Sequence, residues 1–312
     1  MSNPQAITLV EVGPRDGFQS IGPIIPTQTK IDMIRGLYAA GIRRMEATAF
    51  VSEAAVLQLA DAAEIVAAAK DLPGLDAQVL VPNERHAQRA LAAGAEHIAF
   101  VLSVSEKHNR GNVRRTPLES VDEYRRIVRA LPSSVAVRLN VATAFDCPFD
   151  GPVPAETTLA LLAPLIEILP HAEICLCDTT GRVTPDRVSA LFEESQLRFP
   201  AAQHWAFHGH DTYGLGLANV IAAWRAGVAV IDASFAGLGG CPFAPGATGN
   251  VTTEDVVWMF NTMGVPTGID VDRLIDVARA GAALPGALFG GRVRDAVNAR
   301  LCAAKVADGV AA

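Results

Sequence analysis

The sequence predicts a (β/α)8 barrel of the TIM type with additional C-terminal helices, and three observations predict it. Short β-branched or apolar runs alternate with longer segments of helical period, and eight such pairs can be counted along the 312 residues. Three helical segments close on a similar phrase, Ala39-Ala40-Gly41, Ala92-Ala93-Gly94 and Arg225-Ala226-Gly227, each followed directly by a strand. Glycine there supplies the left-handed cap that ends a helix before the chain turns into a strand. The first strand is followed by Gly13-Pro14-Arg15-Asp16-Gly17, which is no dinucleotide fingerprint, so a closed barrel is favoured over an open doubly wound sheet.

The strands expected in order are Ile7 to Val12, Arg44 to Phe50, Ala77 to Val81, His97 to Ser103, Val135 to Ala142, Glu173 to Cys177, Ala206 to His210 and Val230 to Phe235. Between them, apolar residues recur at helical spacing, as in Ile31, Ile34, Leu37 and Tyr38 after the first strand. Leu217, Val220, Ile221 and Trp224 repeat the pattern after the seventh. Each such stripe presents one face to a sheet. Thr253 to Met263 reads as the closing helix, and Val271 to Ala280 and Val293 to Val306 as extra helices. We therefore expect a single catalytic domain over residues 1–312, with the barrel over about 7–264 and a helical extension over about 268–308.

Composition narrows the function classes. Half of the residues are hydrophobic and 19% are charged, which excludes a disordered or fibrous chain. The net charge is −7, with no long basic run to track phosphates, and argues against a nucleic-acid partner. The most apolar stretch, Thr157 to Cys177, is interrupted by Pro164, Glu167, Pro170, His171 and Glu173. It falls short of the roughly 20 clean residues that a membrane helix needs. Five cysteines, an odd number in a chain this long, suit a reducing compartment. The N-terminus shows no basic-then-apolar presequence, so a cytoplasmic location is expected.

Barrel enzymes place their chemistry at the C-terminal ends of strands, and four clusters meet that test. Glu11 to Gly17 ends the first strand and carries Arg15 and Asp16; a charged surface turn is the competing reading. His208 and His210, at i and i+2 of the seventh strand, share one side and can reach one metal ion. With oxygen donors and no cysteine pair, they suit an octahedral Mg2+ or Mn2+ better than a closed structural zinc site. The glycine-rich loop Gly237 to Asn250 has the character of a lid, and it carries Cys241 and ends in Asn250. Glu46 on the second strand, and Arg138 and Asn140 on the fifth, are polar residues in apolar strands. They need partners, so they are either a structural ion pair across the barrel mouth or part of the site. Cys175 and Cys177 read as buried small hydrophobes, and Asp178-Thr179-Thr180-Gly181 as a cap or a piece of the site.

Together these clusters resemble the family of 3-hydroxy-3-methylglutaryl-CoA lyases, within the wider group of metal-dependent barrels that make or break carbon–carbon bonds beside a carbonyl. The resemblance runs from about residue 7 to 300 and is carried by EVGPRDG at Glu11 to Gly17 with Gln19, EATAFVS at Glu46 to Ser52, HGHDTYGLGLAN at His208 to Asn219, and GLGGCPFAPGATGN at Gly237 to Asn250. It implies a divalent-metal-dependent lyase that cleaves 3-hydroxy-3-methylglutaryl-CoA to acetyl-CoA and acetoacetate by retro-Claisen chemistry, as in leucine degradation. A related 3-hydroxyacyl-CoA such as citramalyl-CoA or a longer branched homologue is the alternative substrate. A barrel that binds metal without catalysis is the alternative of another class.

The same resemblance implies Asp16, His208, His210 and Asn250 as metal ligands for Mg2+ or Mn2+. It makes Arg15 the stabiliser of the enolate, Glu46 its acidic helper and Cys241 the thiol of the lid. Arg15, Gln19, Arg138 and Thr179 are implied as substrate-binding residues, with an acyl-CoA as the substrate and a homodimer or higher homo-oligomer as the assembly. The chain departs from the family pattern at Ser20-Ile21, Glu53-Ala54-Ala55, Phe243 and Thr248, and Arg110, Arg114 and Arg115 give it a basic mouth.

Overall fold

The computed structural model describes residues 6–240 and 249–300. Cys241, the rest of the lid to Thr248, and the expected helix beyond residue 300 with Cys302 lie outside the described residues. The elements follow one another as β1 (Thr8–Glu11), α1 (Thr27–Ala39), β2 (Arg44–Ala49), α2 (Ala62–Lys70), β3 (Asp76–Val81), α3 (Glu84–Ala92) and β4 (His97–Ser103). Next come α4 (Glu106–Val113), α5 (Pro117–Ala130), β5 (Ala136–Ala142), β6 (Asp146–Cys147), β7 (Gly151–Pro152), α6 (Ala155–Ile168), β8 (Glu173–Asp178) and α7 (Pro185–Arg198). The chain continues through β9 (Trp205–Gly209), α8 (Gly216–Arg225), β10 (Val230–Ala233), α9 (Thr253–Thr262) and α10 (Val271–Ala282), and a further helical run covers 293–300.

Eight parallel strands close on themselves in the order β1-β10-β9-β8-β5-β4-β3-β2, and these are the eight that the sequence predicts. Their residues are buried along nearly the whole of each strand, as expected where helices cover the outside and side chains fill the inside. The three repeated helix ends behave as read, with Gly41, Gly94 and Gly227 at φ of 108°, 91° and 94°. Local chemistry fixes helix starts as well. Asn83 and Ser105 each accept a backbone N–H from the third residue of the helix that follows, and Thr116 and Glu119 form a reciprocal capping box at α5.

Three features go beyond the sequence reading. The segment Gly13–Gly17 is a π-helical turn, not a simple surface turn, and its Phe18 N–H reaches back to the Gly13 carbonyl. Such turns are rare and concentrate at functional sites. A two-stranded antiparallel hairpin, β6 with β7, sits beyond β5. The β2–β3 pairing shifts register between Glu46 and Thr48, a bulge beside one of the candidate site residues.

The barrel is tied shut at its first strand by Glu11. Its buried carboxyl accepts from Gly13 N at 2.7 Å, Phe235 N at 3.0 Å and Thr253 Oγ1 at 2.7 Å. Glu11 is thus a structural clasp between β1, the turn after β10 and the start of α9.

Candidate metal centre and active site

The C-terminal mouth of the barrel opens into a cavity of about 690 Å³, lined among others by Arg15, Asp16, Gln19, Asn140, Thr179, His208 and His210. Each is delivered by a different piece of chain. The π-helical turn after β1 presents Arg15 and Asp16, β9 presents His208, and the residue just past it, His210, forms a backbone bridge with Asn250. That bridge folds the far end of the lid loop back onto the site.

Among the described residues, Asp16, His208 and His210 form the one cluster of metal-type ligands, with donor atoms within 4.8 Å of one another. The two imidazoles turn their Nε2 atoms toward each other at 3.3 Å. Their Nδ1 atoms are engaged on the far side, His208 with Asp232 Oδ2 at 3.1 Å and His210 with the Thr179 carbonyl at 2.9 Å. Since a carbonyl only accepts, His210 carries its proton on Nδ1 and offers a lone pair at Nε2. Asn250 donates to Asp16 Oδ2 at 2.8 Å and to the Leu238 carbonyl at 2.9 Å. Both partners are acceptors, so the amide orientation is fixed, and Asn250 Oδ1 is left buried without a protein partner. Two imidazole nitrogens, a carboxylate and an orphaned amide oxygen fit a divalent cation of the Mg2+ or Mn2+ type.

Close backbone approach makes this possible. Gly239 has φ of +120°, and a Cβ there would meet Asn250 Nδ2 at 2.5 Å and Asp16 Oδ2 at 3.1 Å.

The electrostatics divide the site into paired charges. Burial works to raise the Asp16 carboxyl, but the Arg15 guanidinium and the two histidines hold it below the usual carboxylate range. Burial likewise opposes the charge on Arg15, yet Glu46 and Asp16 hold its pKa above the ordinary value. Arg15 makes ion pairs with both carboxylates. Burial disfavours a charged His208, but its hydrogen bond to Asp232 lifts it to about 9. Burial and the charge of His208 push His210 down to about 4. At neutral pH His208 therefore keeps a second proton, on Nε2, which it shares with the His210 lone pair, and a cation held between the two rings would displace that proton.

Some expected residues stand elsewhere. Glu46 does not line the cavity; it lies buried behind Arg15 and pairs with it, not with Arg138. Arg138 is fully buried and also off the cavity wall. Its guanidinium is taken by Asn140 Oδ1 at 2.8 Å, Glu173 Oε1 at 2.9 Å and both Asp232 oxygens at 2.7 Å. Four of its five N–H bonds are thereby taken by protein acceptors, and of the two readings open in the sequence this arrangement matches the structural ion pair. Thr179 lines the cavity, although its hydroxyl accepts from Thr143 N at 2.7 Å while its carbonyl holds His210. Of the three basic mouth residues, Arg114 lines the cavity, whereas Arg110 pairs with Glu106 and Arg115 is bound to the Pro82 carbonyl. Cys177, one of the two thiols read as core, also reaches the cavity wall.

Sequence reasoning passes over Asp232. The signal was present, since it is a lone carboxylate in the apolar run Val230 to Phe235, the same pattern that singles out Glu46.

Fold and site together define a (β/α)8-barrel enzyme built around a candidate divalent-metal centre at its C-terminal rim. The chain belongs to the HMGL-like family, which matches residues 6–280. It is 40% identical over 301 residues to a mitochondrial hydroxymethylglutaryl-CoA lyase of Arabidopsis thaliana, covering 96% of this chain and 64% of that one. It is 38% identical over 282 residues to an (R)-citramalyl-CoA lyase of Chloroflexus aurantiacus, covering 87% of this chain and 88% of the other. A structure of an HMG-CoA lyase from Acinetobacter baumannii, in complex with coenzyme A and 3-methylmalate, superposes with a TM-score of 0.89 at 37% identity. That match covers 95% of this chain and 96% of the other.

Proposed function

We propose that this protein is a divalent-metal-dependent lyase that cleaves 3-hydroxy-3-methylglutaryl-CoA into acetyl-CoA and acetoacetate. The observation that carries the reading is the convergence of Asp16, His208 and His210 beside Arg15 at the floor of an open cavity. A barrel that only bound metal would have no use for a guanidinium held beside the ligands by two carboxylates. The family and its named relatives support an acyl-CoA as substrate.

In the reaction, the tertiary hydroxyl of the substrate loses its proton, the bond between C2 and C3 breaks, and a ketone and the enolate of acetyl-CoA result. Asp16, His208, His210 and Asn250 would hold the Mg2+ or Mn2+. When bound, the cation supplies Lewis acidity that makes an adjacent hydroxyl far easier to deprotonate at neutral pH. Arg15 offsets the negative charge that develops on the thioester oxygen. Glu46 and Asp16 orient that guanidinium, so little reorganisation is needed when the charge appears. Thr179 holds the His210 ring by its carbonyl, and Gln19 stands on the cavity wall within the first motif. Cys241, by the family resemblance, supplies the proton that quenches the enolate carbon, since an ordinary thiol with a pKa of about 8.5 is protonated at neutral pH. The resemblance also carries a homodimer or higher homo-oligomer. A reducing compartment such as the cytoplasm suits the free thiols Cys147, Cys175 and Cys177.

A second reading is supported by the citramalyl-CoA lyase relative, which points to the same bond cleavage on citramalyl-CoA, with pyruvate as the ketone product. A panel of 3-hydroxy-3-methylglutaryl-CoA, citramalyl-CoA and a longer branched homologue, compared by kcat/KM, separates the two. The first substrate should lead the panel; a tenfold or greater preference for another would transfer the assignment to it.

A further inference from the structure

From β2 to β9 the barrel interior carries an unbroken series of alternating charges. Arg44, at the first residue of β2, binds Asp76 at 2.9 Å and Glu173 at 3.0 Å and 3.1 Å. Glu173 opens β8 and receives Arg138 at 2.9 Å, and Arg138 grips both oxygens of Asp232 at 2.7 Å. Asp232 then meets His208 Nδ1 at 3.1 Å. Arg138 is 0% exposed and Asp232 3%, so neither is tuned by solvent. A buried carboxylate with one side clamped by a guanidinium has a fixed orientation, and its Oδ2 faces His208 Nδ1 at 3.1 Å, with the Cys175 thiol a longer contact at 3.9 Å.

We propose that Asp232 is a positioning residue for the metal centre: clamped by Arg138, it fixes the ring plane and the Nδ1–H tautomer of His208, so that Nε2 faces Asp16 and His210. It touches neither substrate nor cation and acts through His208 alone. Without that acceptor, the imidazole is free to rotate about its side-chain bonds or to shift its proton to Nε2, and either change withdraws a ligand. This also gives Arg138 a reason to be buried at the cost of its desolvation, although it does not itself line the cavity.

The proposal rests on the metal-dependent reading above, and the experiment separates the two. Chelator-stripped protein is titrated with Mn2+ and the free ion is followed by electron paramagnetic resonance. Asp232→Ala should weaken Mn2+ binding about 10- to 100-fold. Asp232→Asn, which keeps an acceptor for Nδ1–H, should lose less. Glu173→Gln breaks the same charge series but leaves His208 and Asp232 in contact, and it should stay within about 3-fold of the parent even if its melting temperature falls. Asp232→Ala binding within about 3-fold of the parent would overturn the positioning role, as would Glu173→Gln losing as much as Asp232→Ala. Failure of the unmodified protein to bind Mn2+ would instead overturn the metal reading. If Asp232→Ala does not fold, 15N-histidine spectra of the unmodified, Mg2+-loaded protein decide. The signal missing from His208→Gln should report the Nδ1–H tautomer, and an Nε2–H tautomer would overturn the proposal.

Discussion

Asn250 donates its side-chain N–H to Asp16 at 2.8 Å across 234 residues of sequence. That bond joins the two ends of the barrel chain at the metal centre and leaves Asn250 Oδ1 as the buried oxygen available to a cation. Asn250→Ala removes both the bond and the oxygen. We expect Mn2+ affinity to fall at least tenfold by calorimetry of the stripped protein, with Asp16→Ala losing metal retention outright. A metal-replete but inactive Asp16→Ala protein would contradict the ligand role.

Arg15 separates binding from catalysis. Arg15→Gln should lower kcat by about 100- to 1000-fold, near 3 kcal/mol of transition-state stabilisation. Asp16 loses a competing cation but stays in the ligand cluster, so the metal is retained while turnover collapses. Steady-state kinetics at saturating metal, with parallel metal analysis, check this split.

Gly239 holds space for the Asn250–Asp16 contact. Gly239→Ala places a methyl group 2.5 Å from Asn250 Nδ2 at a φ of +120°. The expected result is a loss of about 1–3 kcal/mol in unfolding free energy, together with weakened metal retention. Denaturant unfolding and metal analysis of the same preparation measure both.

Cys241→Ala should lower turnover far more than it weakens metal binding, because the resemblance gives the thiol a proton-transfer role and no ligand role. Equal losses in both would remove it from that role.

Two buried carboxyls off the cavity wall give the fold a pH signature. Burial lifts Glu254 to about 8 and Glu11 to about 7. Both values lie above the ordinary carboxylate value, so in this window the folded protein keeps protons that the unfolded chain has released. Stability is then greatest below about pH 4.5 for these groups and falls as pH rises toward 7 and then 8. Each group contributes a slope of at most about 1.4 kcal/mol per pH unit. Glu254→Gln should flatten the upper part of this profile in urea unfolding measured from pH 5 to 9, and an unchanged slope would show that Glu254 is ionised in the folded protein.

Much of this architecture is legible before any coordinates. The eight barrel strands announce themselves because each is an apolar or β-branched run bounded by a polar helix start or a glycine cap, and that pattern is local. The histidine pair is equally local, since i and i+2 on a strand settle their common side. What escapes is what depends on partners distant in sequence. Arg138 reads equally as a structural ion pair or as part of the site until its pairing with Asp232, 94 residues away, is seen. The β6–β7 hairpin escapes because strands of two residues carry no period. The π-helical turn at Gly13–Gly17 escapes because its two glycines lie against Phe235 and Leu238, which are remote in sequence.

The most direct test of the central claim is acetoacetate release from 3-hydroxy-3-methylglutaryl-CoA by chelator-stripped protein, with and without added Mg2+ or Mn2+. The account predicts no release without metal and full recovery on its addition. Release that persists in the stripped protein, or metal bound at the site with no cleavage of this thioester, would contradict it.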